Sequence, residues 1–186
     1  MSYYDKEHKD KIKLLSNMWT NLEQISNLAK EYQINDISQD NNLKLLQTLV
    51  LFDFKNQPGR EGSDAIDRYG NAWELKTLNI DLTNSFSTNH HTNIERIEAF
   101  RRERWLFSVY SGIKLNDVYA VNPRHLEEYF SEWENKLKRL AQEENVKPHL
   151  NNPKIPLKYI KQVGTCVYPT LPNKKPLDPA EVLKFL

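Results

Sequence analysis

Asp64, Glu74 and Lys76 are the residues of this chain whose types and spacing could do chemistry. They lie in Gly59-Arg60-Glu61-Gly62-Ser63-Asp64-Ala65-Ile66-Asp67-Arg68-Tyr69-Gly70-Asn71-Ala72-Trp73-Glu74-Leu75-Lys76. Two short apolar-rich runs flank Tyr69-Gly70-Asn71, which predicts a β-hairpin. Alternate strand residues face the same way, so Glu74 and Lys76 share one face and Leu75 takes the other. With Asp64 at the start of the partner strand, its carboxylate reaches the same spot. Two acids and an amine converging there could bind Mg2+ and activate a water against a phosphodiester. As a string the pattern is weak, because Glu-x-Lys on an exposed strand is ordinarily a solvated charge pair. Ala65, Ile66, Trp73 and Leu75 point instead to a packed strand, where clustered acids cost desolvation and repulsion unless a cation is present.

Other polar groups have a bland and a sharp reading each. His90-His91 is a poor two-ligand metal site, because adjacent strand residues point to opposite faces. The pair reads as plain surface or as donors to guanine N7 and O6. Asn151-Asn152-Pro153 reads as turn chemistry, or as a carboxamide for adenine N6 and N7. Gln39-Asp40-Asn41-Asn42 has the composition of a helix-capping loop. With five glycines and no Gly-rich phosphate cradle, a dinucleotide fold is not expected. Cys166 has no neighbouring His to activate it as a nucleophile.

Several elements must position these groups. From Lys11 to Tyr32, Leu15, Met18, Trp19, Leu22, Ile25, Ala29 and Tyr32 recur at helical spacing, a face for a core or for a second copy of the chain. A second helix is expected from Asp36 or Asn41 to Phe52, with Leu43, Leu46, Leu49 and Val50 inward, and Asn56-Gln57-Pro58-Gly59 closes the helical region. After the hairpin, Asp81–Asn93 is too rich in hydrogen-bonding side chains for a buried strand. Asn93 caps a helix expected to reach about Trp105. Leu106–Ser111 and Asp117–Val121 read as strands around Gly112. Asn122-Pro123 starts a helix to about Glu143, with Leu126, Tyr129, Trp133, Leu137 and Leu140 on one face. Asn145–Pro156 reads as a loop and Gln162–Tyr168 as a strand. Pro169–Leu186 holds four of the nine prolines and reads as extended, with a last turn from Asp178. One α/β domain is the economical reading.

At 186 residues the chain can bury a real core, and four Trp, nine Tyr and seven Phe argue against disorder. One cysteine allows no intrachain disulfide and no Cys-rich zinc site, which fits a reducing cytoplasm. The charged start Met1-Ser2-Tyr3-Tyr4-Asp5 has no apolar core of a signal peptide, and no membrane span is expected. The net charge of +1 does not announce a nucleic-acid binder. A DNA enzyme can still have this balance if its bases line a cleft and its acids serve a metal.

Taken in order, Gln39-Asp40-Asn41, Pro58-Gly59-Arg60-Glu61-Gly62-Ser63-Asp64-Ala65, Glu74-Leu75-Lys76, Asn79-Ile80-Asp81-Leu82-Thr83, Phe86-Ser87-Thr88 with His90-His91, and Asn151-Asn152-Pro153-Lys154-Ile155-Pro156 resemble the PvuII-type restriction endonucleases over about residues 12 to 168. The resemblance implies a homodimeric type II enzyme of the PD-(D/E)xK class. Its fold would be α/β, a mixed β-sheet flanked by helices, with an N-terminal helical dimerisation region. It implies a single domain over residues 1–170: dimerisation to about 40, catalysis over 41–93, DNA recognition over 94–170. The Pro-rich tail of 171–186 lies outside it.

Family members cut the palindrome CAGCTG between its central G and C, with Mg2+, leaving blunt ends. Asp64, Glu74 and Lys76 match the catalytic residues, and Asp64 and Glu74, with the Leu75 carbonyl, would hold the metal. Asp40 matches an acid placed near the minor groove. Ser87, His90, His91, Asn151 and Asn152 match the base-reading region, with Asn152 for adenine and the histidines for guanine. A partner methyltransferase is implied. Two departures stand out: Asn89 replaces the first of three family histidines, and Phe100 replaces a tyrosine near the family's active site. A nuclease of other specificity, or a cleavage-dead DNA-binding module, would share most of these features.

Overall fold

Helical spacing early and alternation later predict helices followed by a strand-rich region, and the computed structural model has that order. It describes residues 6–57, 62–143, 148–169 and 175–184. Pro58 and Gly59, Asn145, and residues 170–174 and 185–186 of the tail, all part of the expectations above, lie outside the described residues. The chain divides into two units, Met1–Leu46 and Gln47–Leu186.

In the first unit, helix α1 (Lys6–Glu31) closes on Ala29, which is fully buried, and Ile34, whose N–H donates to the Ala29 carbonyl at 3.0 Å. Its apolar stripe does not fill a core of this chain. Ile12, Leu14, Leu15, Met18, Trp19 and Leu22 are between 40% and 60% exposed. A turn follows in which the Asp36 carboxylate accepts from Ser38 N–H at 2.8 Å. Helix α2 (Asn42–Phe52) then begins, and it runs across the division between the units. Leu46 and Leu49 are buried as expected, but Val50 is exposed. The buried stripe runs through Thr48 and Phe52 instead, because the Thr48 hydroxyl is satisfied by Tyr110.

The second unit is built on strands. In chain order they are β1 (Lys55–Asn56), β2 (Ala65–Ile66), β3 (Ala72–Asn79), β4 (Ser85–Ser87), β5 (Arg104–Ser111), β6 (Lys114–Val121), β7 (Lys154–Pro156) and β8 (Thr165–Tyr168). Six make one mixed sheet in the order β1-β2-β3-β5-β6-β8, antiparallel except for the parallel pair β3 and β5. β4 and β7 form a separate antiparallel ribbon. Helix α3 (Ile94–Phe100) lies in the crossover from β3 to β5. A 3-10 turn (Pro123–Leu126) capped by Asn122 leads into α4 (Glu127–Glu143). α5 (Leu157–Val163) precedes β8, and α6 (Pro179–Val182) is capped by the Asp178 carboxylate, which accepts from Ala180 N–H at 2.9 Å.

Four sequence expectations are corrected here. The Asn93-capped helix stops at Phe100, not Trp105, because Trp105 is taken by the central strand opposite β3. Ser85–Ser87, within the stretch read as too polar for a buried strand, is a short strand in which Phe86 alone is buried, and part of the expected loop at Lys154–Pro156 is its partner. Phe86 and Ile155 face each other in that ribbon and are both fully buried. Only pairing reveals either segment, since neither is long enough to show alternation alone. Gln162 and Val163 belong to α5, and the strand starts at Thr165. Gly164 makes that switch, because a Cβ there would lie 2.8 Å from the Ile160 carbonyl oxygen.

Both sheet faces are buried, Trp73, Leu106, Val118 and Ala120 on one and a large aromatic cluster on the other. Leu78, Trp105, Phe107, Val109, Tyr119 and Val121 pack there against Ile97 and Phe100 of α3 and Phe130, Trp133 and Leu137 of α4. Phe130 belongs to the buried face of α4 although the spacing argument passed over it. Residues 74, 76 and 78 of β3 share a side, so Glu74 and Lys76 point to the face on which Leu78 joins this core.

Candidate active site

The hairpin is held from its turn. The buried Asp67 carboxylate accepts from Tyr69 N–H and Asn71 N–H, both at 2.9 Å, and from the Trp73 indole at 2.9 Å. Burial works to raise its pKa, but these hydrogen bonds together outweigh it and hold the carboxyl below its ordinary range. β2 is only two residues long, so it leaves β3 after Trp73. Asp64 sits at that point of departure. Its N–H donates to the Trp73 carbonyl at 3.0 Å, and its Oδ2 accepts from Leu75 N–H at 2.8 Å. The side chain thus replaces a strand partner. On an extended strand a residue's N–H and C=O point to the same edge, so the Leu75 carbonyl opens toward the same gap.

Glu74 is fully buried, and its register partner on β5 is Trp105. Lys76 Nζ stands 2.5 Å from Glu74 Oε1 as a charge contact, while that oxygen has no hydrogen bond of good geometry. Glu74 Oε2 accepts from Arg96 Nη2 on the first turn of α3. Arg96 Nη1 also donates to Glu103 Oε1 at 3.2 Å, and the guanidinium lies 4.5 Å over the Phe100 ring. Glu103 is itself buried. Three acids and two bases therefore meet at a wall of aromatic side chains. Asp64 feels this most. Burial first, and the Glu74 charge second, push its pKa up to about 6, against the opposing pull of Lys76, the Leu75 N–H and Arg96.

A divalent cation fits this donor set. A crowded carboxylate pair, one buried oxygen without a hydrogen bond and a carbonyl on the same edge are the oxygen ligands of a hard cation. Among the described residues, no three His, Cys, Asp or Glu side chains are grouped so as to hold a metal ion, and Glu103 is turned to Arg96, so a cation here would have two carboxylates and the peptide oxygen.

The polar loop after β4 is laced to the segment before β7. Thr88 N–H and Oγ1 both donate to the Pro153 carbonyl, at 3.0 and 2.9 Å, and Thr92 pairs with Leu150. This brings His90 to Asn151 and Asn152. His90 Nδ1 is 3.3 Å from Asn151 Oδ1 and 3.1 Å from Asn152 Nδ2, so one tautomer donates to the first and the other accepts from the second. Asn152 holds φ at 49°, a left-handed conformation Asn tolerates better than most residues. Ser87 is exposed on β4, and exposed His91 packs on His149 with ring centroids 4.6 Å apart. Asp40 lies in the first unit, exposed in the turn before α2 with φ at 48°.

Sequence reasoning missed Arg96 and Glu103. No motif marks them; Arg96 reaches Glu74 only because the crossover brings α3 to β3, and Glu103 reaches Arg96 from just beyond that helix. Asn89, visible only as a departure from a histidine run, accepts from Lys76 Nζ at 2.9 Å, and its backbone carbonyl accepts from Asn152 N–H at 3.2 Å. It therefore touches both the hairpin and the polar loops.

The sequence model of the family described as Restriction endonuclease PvuII matches residues 9–168. That span takes in the hairpin, the crossover helix and the laced loops. The chain belongs to this family and is a type II site-specific deoxyribonuclease acting on double-stranded DNA.

Proposed function

We propose that the enzyme cuts both strands of the palindrome CAGCTG between the central G and C, leaving blunt ends, as a Mg2+-dependent homodimer. The observation that carries this reading is the meeting of Asp64, Glu74, the Leu75 peptide and Lys76 at one partly buried site. Asp64 and Glu74 hold the cation together with the Leu75 carbonyl. Once bound, it supplies Lewis acidity at the scissile phosphate and a water of lowered pKa. Lys76 would orient the attacking water, or as a neutral amine take its proton, and its positive charge would offset the anion that builds at phosphorus. Burial of Glu74 beside Trp105 keeps bulk water from its carboxylate and strengthens its interactions.

Base reading falls to the laced loops. Asn152 is assigned to adenine through N6 and N7, and His90 and His91 to guanine, with Ser87 and Asn151 alongside. Asp40 is assigned to the minor-groove side. The exposed apolar face of α1 supports a dimer in which each subunit reads one half-site and cuts one strand. Residues 1–40 would then serve dimerisation, 41–93 catalysis and 94–170 recognition. A cognate methyltransferase would protect the host's own sites.

Digestion of a sequenced plasmid with Mg2+, and with EDTA in parallel, tests the proposal. Blunt ends mapping to CAG/CTG in the Mg2+ arm alone are expected. Ends at another sequence would reject the assigned specificity, and cutting in EDTA would reject the cation.

A further inference from the structure

Arg96 and Glu103 play no part in the scheme above, yet they stand at the same partly buried site. Their arrangement is incomplete in a specific way. Arg96 divides its guanidinium between Glu74 Oε2 and Glu103 Oε1. Glu103 Oε2 is left buried without a hydrogen-bond partner, and so is Arg96 Nε. A vacant acceptor on one member of an ion pair and a vacant donor on the other are complementary. Arginine and carboxylate satisfy each other best fork to fork, through two parallel hydrogen bonds. Here that pairing is forgone because Glu74 draws one arm of the fork.

The charge balance explains why. Asp64, Glu74 and Glu103 against Lys76 and Arg96 leave one net negative charge in a largely buried cluster. Without a cation, Glu74 needs Arg96, since a fully buried carboxylate beside Asp64 is costly when unpaired. A divalent ion at Glu74 reverses the local charge and repels the guanidinium. Glu103 already holds the other arm at 3.2 Å, and Phe100 supports the planar group from below.

We propose that Arg96 and Glu103 form an exchange pair for cation loading. Arg96 stands in for the metal on Glu74 and passes wholly to Glu103 when the cation binds, so that both residues position Glu74 without touching the reacting atoms. The inference rests on the assignment of Asp64 and Glu74 as metal ligands.

The two halves of the pair should act in opposite directions, which a merely structural role would not produce. The probe is Mn2+ alone, titrated into the full-length, DNA-free protein and followed by loss of the free-ion paramagnetic resonance signal. Arg96→Met removes the competitor, so Mn2+ should bind more tightly while the cation-free protein melts at a lower temperature. Glu103→Gln removes the receiver at nearly constant shape, so Mn2+ affinity should fall by about 10- to 100-fold. The double variant should return toward Arg96→Met. Wild-type affinity in Glu103→Gln, or weaker binding in Arg96→Met, overturns the exchange. If Arg96→Met fails to fold, Glu103→Gln and a structure of the wild type with Mn2+ decide: Arg96 still on Glu74 in that structure overturns the proposal. Absence of Mn2+ binding by the wild type, or full binding by Glu74→Gln, rejects the ligand assignment itself and the exchange with it.

Discussion

Asp64 is the residue under most electrostatic load. Its folded pKa of about 6 lies above its ordinary 3.8, because burial and then Glu74 disfavour its charge. Between those values the folded chain keeps a proton that the unfolded chain has lost. Stability of the cation-free protein should therefore fall as pH rises from about 4 through about 6, and the cost should persist above that. Asp64→Asn keeps an acceptor for the Leu75 N–H and removes the charge. Its melting temperature should exceed the wild type's at about pH 8 and match it below about pH 4. An equal difference at both pH values would mean the effect is not Asp64's titration. Lys76→Ala should bind cognate DNA in a gel shift and show no cleavage; retained turnover removes Lys76 from the mechanism. These three residues were legible in the sequence because they share one hairpin, where strand alternation alone sets their directions. Arg96, Glu103 and Asn89 were not. Each reaches the site from another element, and no local pattern encodes a meeting made by topology.

Among elements, the proposed function places catalysis on the hairpin and base reading on the laced loops. Asp67 ties the hairpin turn through Tyr69, Asn71 and Trp73. Asp67→Ala would orphan those donors, and a loss of about 3 kcal/mol in urea unfolding is expected. A change below about 0.5 kcal/mol would show that the turn forms without it. In the laced loops, Asn152→Ala should leave non-specific binding largely intact and cost about 1–3 kcal/mol of discrimination between cognate and altered sites. Cleavage of the cognate site at the wild-type rate would reject the assignment to adenine. The sequence marked the long elements well, since β5, β6 and α4 each run far enough to display a period. It misjudged Ser85–Ser87, Lys154–Pro156 and α5, which are short and owe their form to partners distant in the chain.

For the whole molecule, the open question in the sequence was what the stripe along α1 meets. Its exposure in this chain leaves Leu15, Met18, Trp19 and Leu22 without a core of their own. Trp19→Glu should convert a dimeric mass in sedimentation at micromolar concentration to a monomeric one, with double-strand cleavage giving way to nicks. A wild type that already sediments as a monomer would refute the dimer. Among the described residues, no helix is long and apolar enough to cross a membrane.

The family match stops at Tyr168, yet the described part of the chain beyond it is not loose. Leu177 N–H donates to the Val167 carbonyl at 2.7 Å, and Ala180 and Leu183 are buried. Asp178 holds Arg68 at 2.5 Å and Glu181 accepts from the Tyr69 hydroxyl, both at the bend of the catalytic hairpin. The last stretch is thus a clasp on the arm that bears Asp64 and Glu74. Trimming the gene at the family's edge would release that clasp, and a protease nick in the tail would loosen the hairpin from outside the span the family model matches.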